Sequence, residues 1–219
     1  MRYYPVYLDI QHKKCLVVGG GSVGTRKVNT LLECGARVTV VSPKISEALE
    51  ALSDHHAIDI QKKRYQSTDL NGVFLVIGAT SDERLNQQIS NDAGQLNILC
   101  NIADRPAACN FILPAIVQRG DLVIAISSSG NSPAFAKKLR KDIEQHYGAE
   151  YAVFLQLMGA IRQRLLQAEH APEAHKPIFN KIIYSKIIDH IREGDEEAID
   201  TILSEILGAG YSFQALMKR

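Results

Sequence analysis

Three glycines at a characteristic spacing are the residues of this chain best suited to bind a phosphate ligand. Gly19, Gly21 and Gly24 follow a short apolar segment at Gly-x-Gly-x-x-Gly spacing. In this pattern the glycines permit a tight turn, close approach of the backbone to a pyrophosphate, and close packing of the next helix. The free N–H groups at that helix start bind the anion. The spacing predicts a dinucleotide site, although similar turns also occur where a chain only needs positive φ.

A complete βαβ unit surrounds these glycines. The pattern predicts a strand at 14–18, a helix at 23–33 with apolar Val28 and Leu31 on one face, and a second strand at 37–41. This context favours dinucleotide binding over a purely structural turn. The residues expected to contact the cofactor here are Gly19, Gly21, Ser22, Val23, Gly24, Ser42, Pro43 and Lys44.

The end of the second strand lacks the acidic residue that binds the cofactor's ribose in many such sites. Ser42, Pro43 and Lys44 stand in its place. Ser42 can hydrogen-bond the ribose 2′-hydroxyl, whereas Lys44 can equally accept a 2′-phosphate. These residues alone therefore leave both NAD and NADP open.

Strands and helices continue to alternate along the first half of the chain. The predicted elements are strands at 58–62, 72–77 and 98–101 and helices at 45–52 and 81–93. This alternation predicts a Rossmann-like α/β fold with a doubly wound parallel sheet. Ligands of such sheets bind beyond the carboxyl ends of the strands. Thr80, Asn101 and Asp104 are therefore expected beside the glycine turn.

The pattern changes after Asn110. Two apolar runs at 111–117 and 122–126 predict an antiparallel hairpin. Ser132 and Pro133 then suit the N-cap and the first position of a helix. Further helices are predicted at 151–168, 177–191 and 196–207. Because the hairpin would leave an exposed edge in a monomer, we expect a homodimer in which these strands pair or exchange between the two copies.

Composition indicates an ordinary globular protein and excludes several classes. The chain has 219 residues, 46% of them hydrophobic, and a net charge of +1, which argues against a general nucleic-acid binder. Neither a run long enough to cross a bilayer nor the apolar core of a signal peptide is found, so the cytoplasm is expected. The four cysteines and seven histidines show no metal-ligand spacing, so no metal site is predicted and the cysteines are expected to be buried thiols.

Six segments together resemble a known family, the precorrin-2 dehydrogenase and sirohydrochlorin ferrochelatase module of siroheme synthases. They keep the family's order and similar spacings over about the first 145 residues, and the helical remainder is similar only in general character. The segments are 4–8, 17–24, 79–82, 100–104, 110–114 and 127–133.

The resemblance implies a reaction as well as a domain organisation. It implies NAD-dependent dehydrogenation of precorrin-2 to sirohydrochlorin, followed in many members by insertion of ferrous iron as a second substrate to give siroheme. It implies an NAD-binding domain at 1–113, a small α/β dimerisation unit at 114–148 and a helical domain at 149–219. Two alternatives stay open: a dehydrogenase that works with a separate chelatase, and a module that senses NAD without chemistry.

The resemblance also assigns roles to individual residues. It implies that Asp104 is the catalytic residue, because family members carry a functional aspartate at this place in the motif. Dehydrogenation needs a carboxylate that can take a proton, and chelation needs pyrrole N–H protons removed. Precorrin-2 carries many carboxylates, which calls for basic and hydrogen-bonding side chains around it. The expected substrate-binding residues are Arg105, Ser128, Asn131 and Lys137.

Overall fold

The computed structural model describes residues 2–55, 57–167 and 175–218. The chain divides into two compact units, Met1–Leu113 and Pro114–Arg219. The organisation into three domains, with a further boundary after residue 148, stays a prediction.

A five-stranded parallel sheet forms the centre of the first unit. Its strands are β1 (Lys14–Gly20), β2 (Arg37–Ile45), β3 (Ile58–Gln61), β4 (Leu75–Gly78) and β5 (Leu99–Ile102). Their order is β3-β2-β1-β4-β5, so the chain proceeds outward from β1 to β3, returns beside β1 at β4, and proceeds outward again. The order therefore reverses between β1 and β4, where ligands of such sheets bind. The predicted Rossmann-like fold is confirmed.

Helices cover both faces of this sheet. They are α1 (Ser22–Glu33), α2 (Glu47–Asp54) and α3 (Glu83–Gln95), with short 3₁₀ turns at Ser67–Leu70 and Pro106–Ala108. On one face Val28 of α1 packs in a core with Val17 and Val40 of the sheet. On the other face Ile89 of α3 packs in a core with Leu16 of the sheet. The apolar residues of α1 and the continuous apolar strands explain this layering.

Strand β2 is longer than the sequence pattern predicts. It continues to Ile45 because Gly20 pairs with Ile45 after an irregularity in the β1–β2 register. The predicted helix at 45–52 consequently begins at Glu47, and positions 42–44 are extended backbone near the carboxyl end of β2. Strand β4 differs in the opposite way, because it begins at Leu75, three residues later than the predicted strand at 72–77.

The second unit combines a hairpin with helices. Strands β6 (Ala115–Arg119) and β7 (Leu122–Ile126) are antiparallel, as predicted. The predicted strand at 111–117 begins only at Ala115, after Pro114, which has no N–H for a strand ladder. The helices are α4 (Pro133–His146), α5 (Glu150–Gln167), α6 (Lys176–Ile183), α7 (Ile187–Glu193), α8 (Glu196–Leu207) and α9 (Phe213–Met217).

The helices of the second unit enclose a core of their own. Leu157, Ile161 and Leu203 are fully buried there. The predicted helix at 177–191 is interrupted, because the Ser185 hydroxyl donates to Ile182 O (2.7 Å) and accepts from Ile187 N (3.3 Å). Position 168, the predicted end of α5, lies outside the described residues. In the described part of the chain, no helix is long and apolar enough to span a membrane.

The cysteines differ in exposure. Cys15 and Cys100 are buried, Cys109 is half-buried and Cys34 is exposed, so the prediction of a buried thiol is wrong for Cys34. Burial, with a smaller effect of Cys34, raises the pKa of the Cys15 thiol to about 11. Burial, with a smaller effect of Cys109, raises the pKa of Cys100 to about 12. These two thiols stay protonated at neutral pH.

Candidate functional site

Two of the four glycines at positions 19–24 are required by close backbone contacts. Gly19 has φ +120°, and a Cβ there would lie 2.4 Å from the carbonyl oxygen of Ala79. A Cβ on Gly24 would lie 2.1 Å from Gly19 O. Only glycine fits either position without a shift of backbone. The roles predicted for a tight turn and for close helix packing agree with these contacts.

The two remaining glycines of the turn have opposite surroundings. A Cβ on Gly20 would lie 2.3 Å from Lys44 O, so this glycine lets β1 and β2 meet at their ends. A Cβ on Gly21 would meet no atom within 4 Å. The space beside Gly21 is therefore open to a ligand that approaches the backbone. Gly20 was not singled out by the spacing, since its requirement comes from a contact distant in sequence.

The start of α1 can accept an anion. Gly21 is the N-cap, no side chain caps the helix, and its first turn contains no acidic residue. The first backbone hydrogen bond at this end is from Thr25 N to Gly21 O (2.9 Å), which leaves the N–H groups of Ser22 and Val23 for a ligand. The helix dipole also favours negative charge here. These residues fit a pyrophosphate.

The end of β2 presents an acceptor for a ribose. The Ser42 hydroxyl donates to Lys44 O (2.8 Å), so its oxygen keeps lone pairs that can accept from a ribose hydroxyl. Ser42 is nearly buried, whereas Pro43 and Lys44 are exposed. The predicted adenosine-binding role of this segment fits this geometry.

The loop after β5 presents one carboxylate. Asp104 is exposed and has φ +62°, a left-handed conformation that aspartate tolerates better than most residues. On one side of it, Ala103 N donates to Gly78 O (2.8 Å) and continues the sheet. On the other side, the Cys109 thiol donates to Arg105 O (3.1 Å) and accepts from Ile102 N (3.1 Å). The loop is therefore tied back to the strand that it leaves.

A half-buried lysine interacts electrostatically with this carboxylate. Lys27, on the second turn of α1, is half-buried, and burial lowers the pKa of its amine, as does neighbouring Arg26. The negative charge of Asp104 acts in the opposite direction and raises the pKa. Among the described residues that line the cleft described next, Lys27 is absent.

The strand ends enclose a cleft of about 970 Å³. It brings together most of the predicted site: Gly19, Gly21, Ser22, Val23, Ser42, Pro43, Lys44, Thr80 and Asp104. These residues, which the strand-end rule placed together, therefore line one cleft.

Two predicted cofactor contacts do not line this cleft. Gly24 acts one layer below, through its close approach to Gly19. Asn101 is buried, and its side-chain amide donates to Phe111 O (3.2 Å) and to the Cys109 sulfur (3.6 Å). Strand alternation turns the Asn101 side chain to the interior, where it anchors the segment after the loop, and its contact with the cofactor stays a prediction.

The predicted substrate-binding residues fall in both units. Arg105 follows Asp104 in the first unit and forms an ion pair with Glu83 at the start of α3 (2.5 Å). Ser128, Asn131 and Lys137 belong to the second unit. The Ser128 hydroxyl accepts from Ser132 N (3.1 Å) and shapes the loop before α4, while Asn131 and Lys137 are exposed. Their role in binding substrate stays a prediction.

Several lining residues were not predicted. Arg64 and Tyr65 follow the end of β3, so the strand-end rule could have found them. Tyr65 is buried and donates to Asp92 Oδ2 (3.0 Å), and burial, followed by this bond, raises the pKa of its phenol. No simple signal marks three further lining residues on the first two turns of α3, which are Arg84, Leu85 and Gln88. The described residues contain no group of three or more His, Cys, Asp or Glu side chains that could hold a metal ion.

Comparison with known families places the first unit. Residues 6–115 match the family described as "Putative NAD(P)-binding". The chain belongs to this NAD(P)-binding family. The prediction of an NAD(P)-type cofactor is thereby confirmed. Residues 119–146 match a second family, described as "Sirohaem biosynthesis protein central".

Individual relatives extend this similarity over the whole chain. The siroheme synthases of Nitrosococcus oceani and Ectopseudomonas mendocina are each 36% identical, over 96% and 99% of this chain. The chain covers only 45% and 46% of their lengths, so it spans about half of the curated relatives that it matches. The solved structure of SirC, a precorrin-2 dehydrogenase, is 27% identical with a TM-score of 0.76, covering 94% of this chain and 99% of that one. The resemblance predicted from the sequence is confirmed.

Proposed function

We propose that this chain is an oxidoreductase that removes two hydrogens from precorrin-2, with NAD as acceptor, and releases sirohydrochlorin. The observation that carries this proposal is one accessible carboxylate in the same cleft as the free N–H groups of the glycine turn. Two aspartates line the cleft among the residues that the structure describes, but Asp82 is the N-cap of α3 and accepts from Arg84 N (2.9 Å) and Leu85 N (3.1 Å). Asp104 is therefore the carboxylate left for chemistry.

Asp104 is the proton acceptor in this scheme. Removal of two hydrogens releases a hydride and a proton, and bound NAD supplies the hydride acceptor. Asp104 takes the proton, which an exposed carboxylate at a strand end can pass to solvent.

The Ser42 geometry supports NAD over NADP. The Ser42 hydrogen is used by Lys44 O, so the remaining function of its oxygen is to accept a hydrogen bond. A ribose 2′-hydroxyl can donate this bond, whereas an ionised 2′-phosphate cannot. A Ser42→Ala variant should lose NAD affinity about five-fold and leave NADP affinity unchanged. Equal loss for both dinucleotides would contradict this assignment.

We propose that basic and hydrogen-bonding side chains outside the glycine turn bind the carboxylates of the substrate. Arg105 is next to Asp104 and offers a planar guanidinium that pairs well with carboxylates. Its present partner, Glu83, is 75% exposed, so an incoming carboxylate can compete for it in water. Ser128, Asn131 and Lys137 complete the proposed set.

Turnover of authentic precorrin-2 tests the proposal. Wild-type protein with NAD under anaerobic conditions should form NADH and sirohydrochlorin in equal amounts. Asp104→Asn should keep NAD affinity within about two-fold and lose at least about a hundred-fold in turnover, the range of a missing general base. A wild type that binds NAD but never consumes precorrin-2 would instead favour the sensing module.

Ferrochelation by the same chain is a further part of the proposal. Pyrrole N–H protons must leave before ferrous iron enters, and Asp104 can accept them as it accepts the proton of dehydrogenation. Adding ferrous ion to sirohydrochlorin with the wild type should form siroheme faster than the uncatalysed reaction. A rate equal to that of the protein-free control would leave the chain a dehydrogenase that depends on a separate chelatase.

We further propose a homodimer in which the hairpins of two copies pair. In the described part of the chain the hairpin forms a two-stranded sheet whose outer edges pair with no further strand, and Ile116 and its strand partner Ala125 are both exposed. Light scattering should give a dimer mass for the wild type and a monomer mass for Ile116→Glu. Tyr184→Glu, at an exposed tyrosine that follows α6, is the matched control and should stay dimeric.

We also propose that the protein works in the cytoplasm. Its four cysteines are free thiols, which a reducing compartment preserves, and NAD is a cofactor of that compartment.

A further inference from the structure

A buried asparagine holds the turn that faces the glycine turn across the switch point. Asn86, on the first turn of α3, is 4% exposed. Its Nδ2 donates to Thr80 O (2.9 Å), and its Oδ1 accepts from Thr80 Oγ1 (2.9 Å). Both ends of one amide are thus used by a single residue of the turn between β4 and α3.

The surroundings of Asn86 are shaped to receive it. A Cβ on Gly78 would lie 3.2 Å from Asn86 Oδ1 and 2.6 Å from Ile102 Cδ1, so a larger residue at this position would crowd the amide. The Thr80 hydroxyl also accepts from Asp82 N (3.2 Å). Thr80 therefore has both its carbonyl and its hydroxyl engaged away from the cleft that it lines.

What remains of Thr80 for a ligand is its backbone N–H. Among the described residues, neither Thr80 N nor Ser81 N donates a hydrogen bond. The same turn lies against the glycine turn, because a Cβ on Gly19 would lie 2.4 Å from Ala79 O and 3.2 Å from Thr80 N. A rotation of the Ala79–Thr80 peptide would therefore alter both walls of the cleft at once.

We propose that Asn86 is a positioning residue for the cofactor, which holds the Thr80 turn so that its free N–H groups bind the half of the dinucleotide beyond the pyrophosphate. In a doubly wound sheet the ligand crosses the switch point. With adenosine at Ser42 and the diphosphate at the glycine turn, the ribose and nicotinamide reach β4 and β5. The inference rests on the proposed cofactor cleft and is independent of the tetrapyrrole reaction.

Binding of two nucleotides by one variant tests this role. Asn86→Asp keeps the shape of the side chain but places an oxygen against Thr80 O in place of the donor. Affinity for NAD should fall about ten-fold, whereas affinity for ADP, which lacks the distal ribose and nicotinamide, should stay within about two-fold. Asn91→Ala, at an exposed asparagine of the same helix, is the matched control and should bind both as the wild type does.

Two outcomes would overturn the inference. One is a folded Asn86→Asp protein with wild-type NAD affinity, and the other is an equal loss for NAD and ADP, which would indicate general damage to the unit. Because no turnover is measured, a wild type that binds NAD but lacks dehydrogenase activity would refute the proposed reaction and leave this inference intact.

A pair of variants at Thr80 covers the case in which Asn86→Asp does not fold. Thr80→Val removes the hydroxyl that bonds Asn86, and Thr80→Ser keeps it. Thr80→Val should lower the affinity for NAD about five-fold and leave the affinity for ADP unchanged. Thr80→Ser should bind NAD as tightly as the wild type does. Thr80→Val with wild-type affinity for NAD would also overturn the inference.

Discussion

The two turns that face each other across the switch point are shaped in opposite ways. The turn after β1 takes its form from missing side chains, since Gly19, Gly20 and Gly24 let backbone atoms meet directly. The turn after β4 takes its form from added hydrogen bonds, those of Asn86 and of the N-cap Asp82. The first turn leaves its backbone N–H groups free because no described side chain caps α1. The second leaves its backbone N–H groups free because the hydroxyl and carbonyl of Thr80 bond Asn86 instead. Both end in the same chemical result, unpaired N–H groups at one cleft.

This difference explains why one turn was predictable and the other was not. Glycine has few roles, so three glycines at fixed spacing after an apolar strand carry a strong signal. In the sequence, Asn86 cannot be distinguished from an exposed residue of a polar helix. Only its contact with Thr80 in the structure reveals its role. The structural role of Asn101 is hidden from the sequence for the same reason, since its partner Phe111 lies ten residues away along the chain.

The fold itself was predictable wherever local patterning decides it. The strand starting at Lys14, the N-cap Ser132 and the hairpin all follow from short sequence signals. The extension of β2 to Ile45 depends on pairing with Gly20, which no local pattern contains.

The largest effect should come from filling the contact beneath the first turn. Gly24→Ala places a Cβ 2.1 Å from Gly19 O, where only a backbone shift can make room. Alanine normally stabilises a helix by about 1 kcal/mol relative to glycine, but here we expect a net loss of about 3 kcal/mol. Urea unfolding measures this change. Gly94→Ala, at a helical glycine of α3 with no atom within 4 Å, is the matched control and should gain stability.

The second prediction separates shape from binding within the same turn. Gly21→Ala adds a Cβ into open space, so the free energy of unfolding should change by less than about 1 kcal/mol. The added methyl group then occupies the path of the pyrophosphate, and NAD affinity should fall at least about ten-fold. Titration with NAD, compared with Gly94→Ala, measures it. Undiminished affinity would place the pyrophosphate elsewhere and break the comparison of the two turns.

The third prediction concerns the strands beneath both turns. Cys15 lies in β1, and Cys100 in β5 pairs with Val76 of β4. Their folded pKa values, about 11 and about 12, exceed the usual value of 9.0. The stability that these thiols contribute is therefore complete below pH 9.0 and is lost as pH rises toward those values, because the unfolded chain releases its protons first.

Thermal unfolding between neutral pH and about pH 10 measures this loss, which should reach about 1 kcal/mol for each thiol. Cys100→Ala should be less stable at neutral pH and show a shallower decline in alkali. Cys34→Ala, at the exposed cysteine, removes only the smaller contribution to the Cys15 pKa and should keep most of the wild-type decline. A wild-type stability that does not change over this range would mean that water reaches the sheet beneath the turns.

The smallest effect is expected at the outer edge of the second turn, where Glu83 pairs with Arg105. Both side chains are more than a third exposed, and such pairs contribute at most about 1 kcal/mol. Glu83→Gln should therefore leave the free energy of unfolding nearly unchanged. It also frees Arg105 for the substrate, so KM for precorrin-2 should fall about two-fold to three-fold while kcat and NAD affinity stay the same. Gln87→Glu, one turn further along α3, adds an acid at an exposed position whose side chain bonds Asn91 (3.0 Å), and it should leave KM unchanged. A higher KM for Glu83→Gln would mean that Glu83 holds Arg105 in its binding position, and that polar side chains shape this edge as they shape the turn behind it.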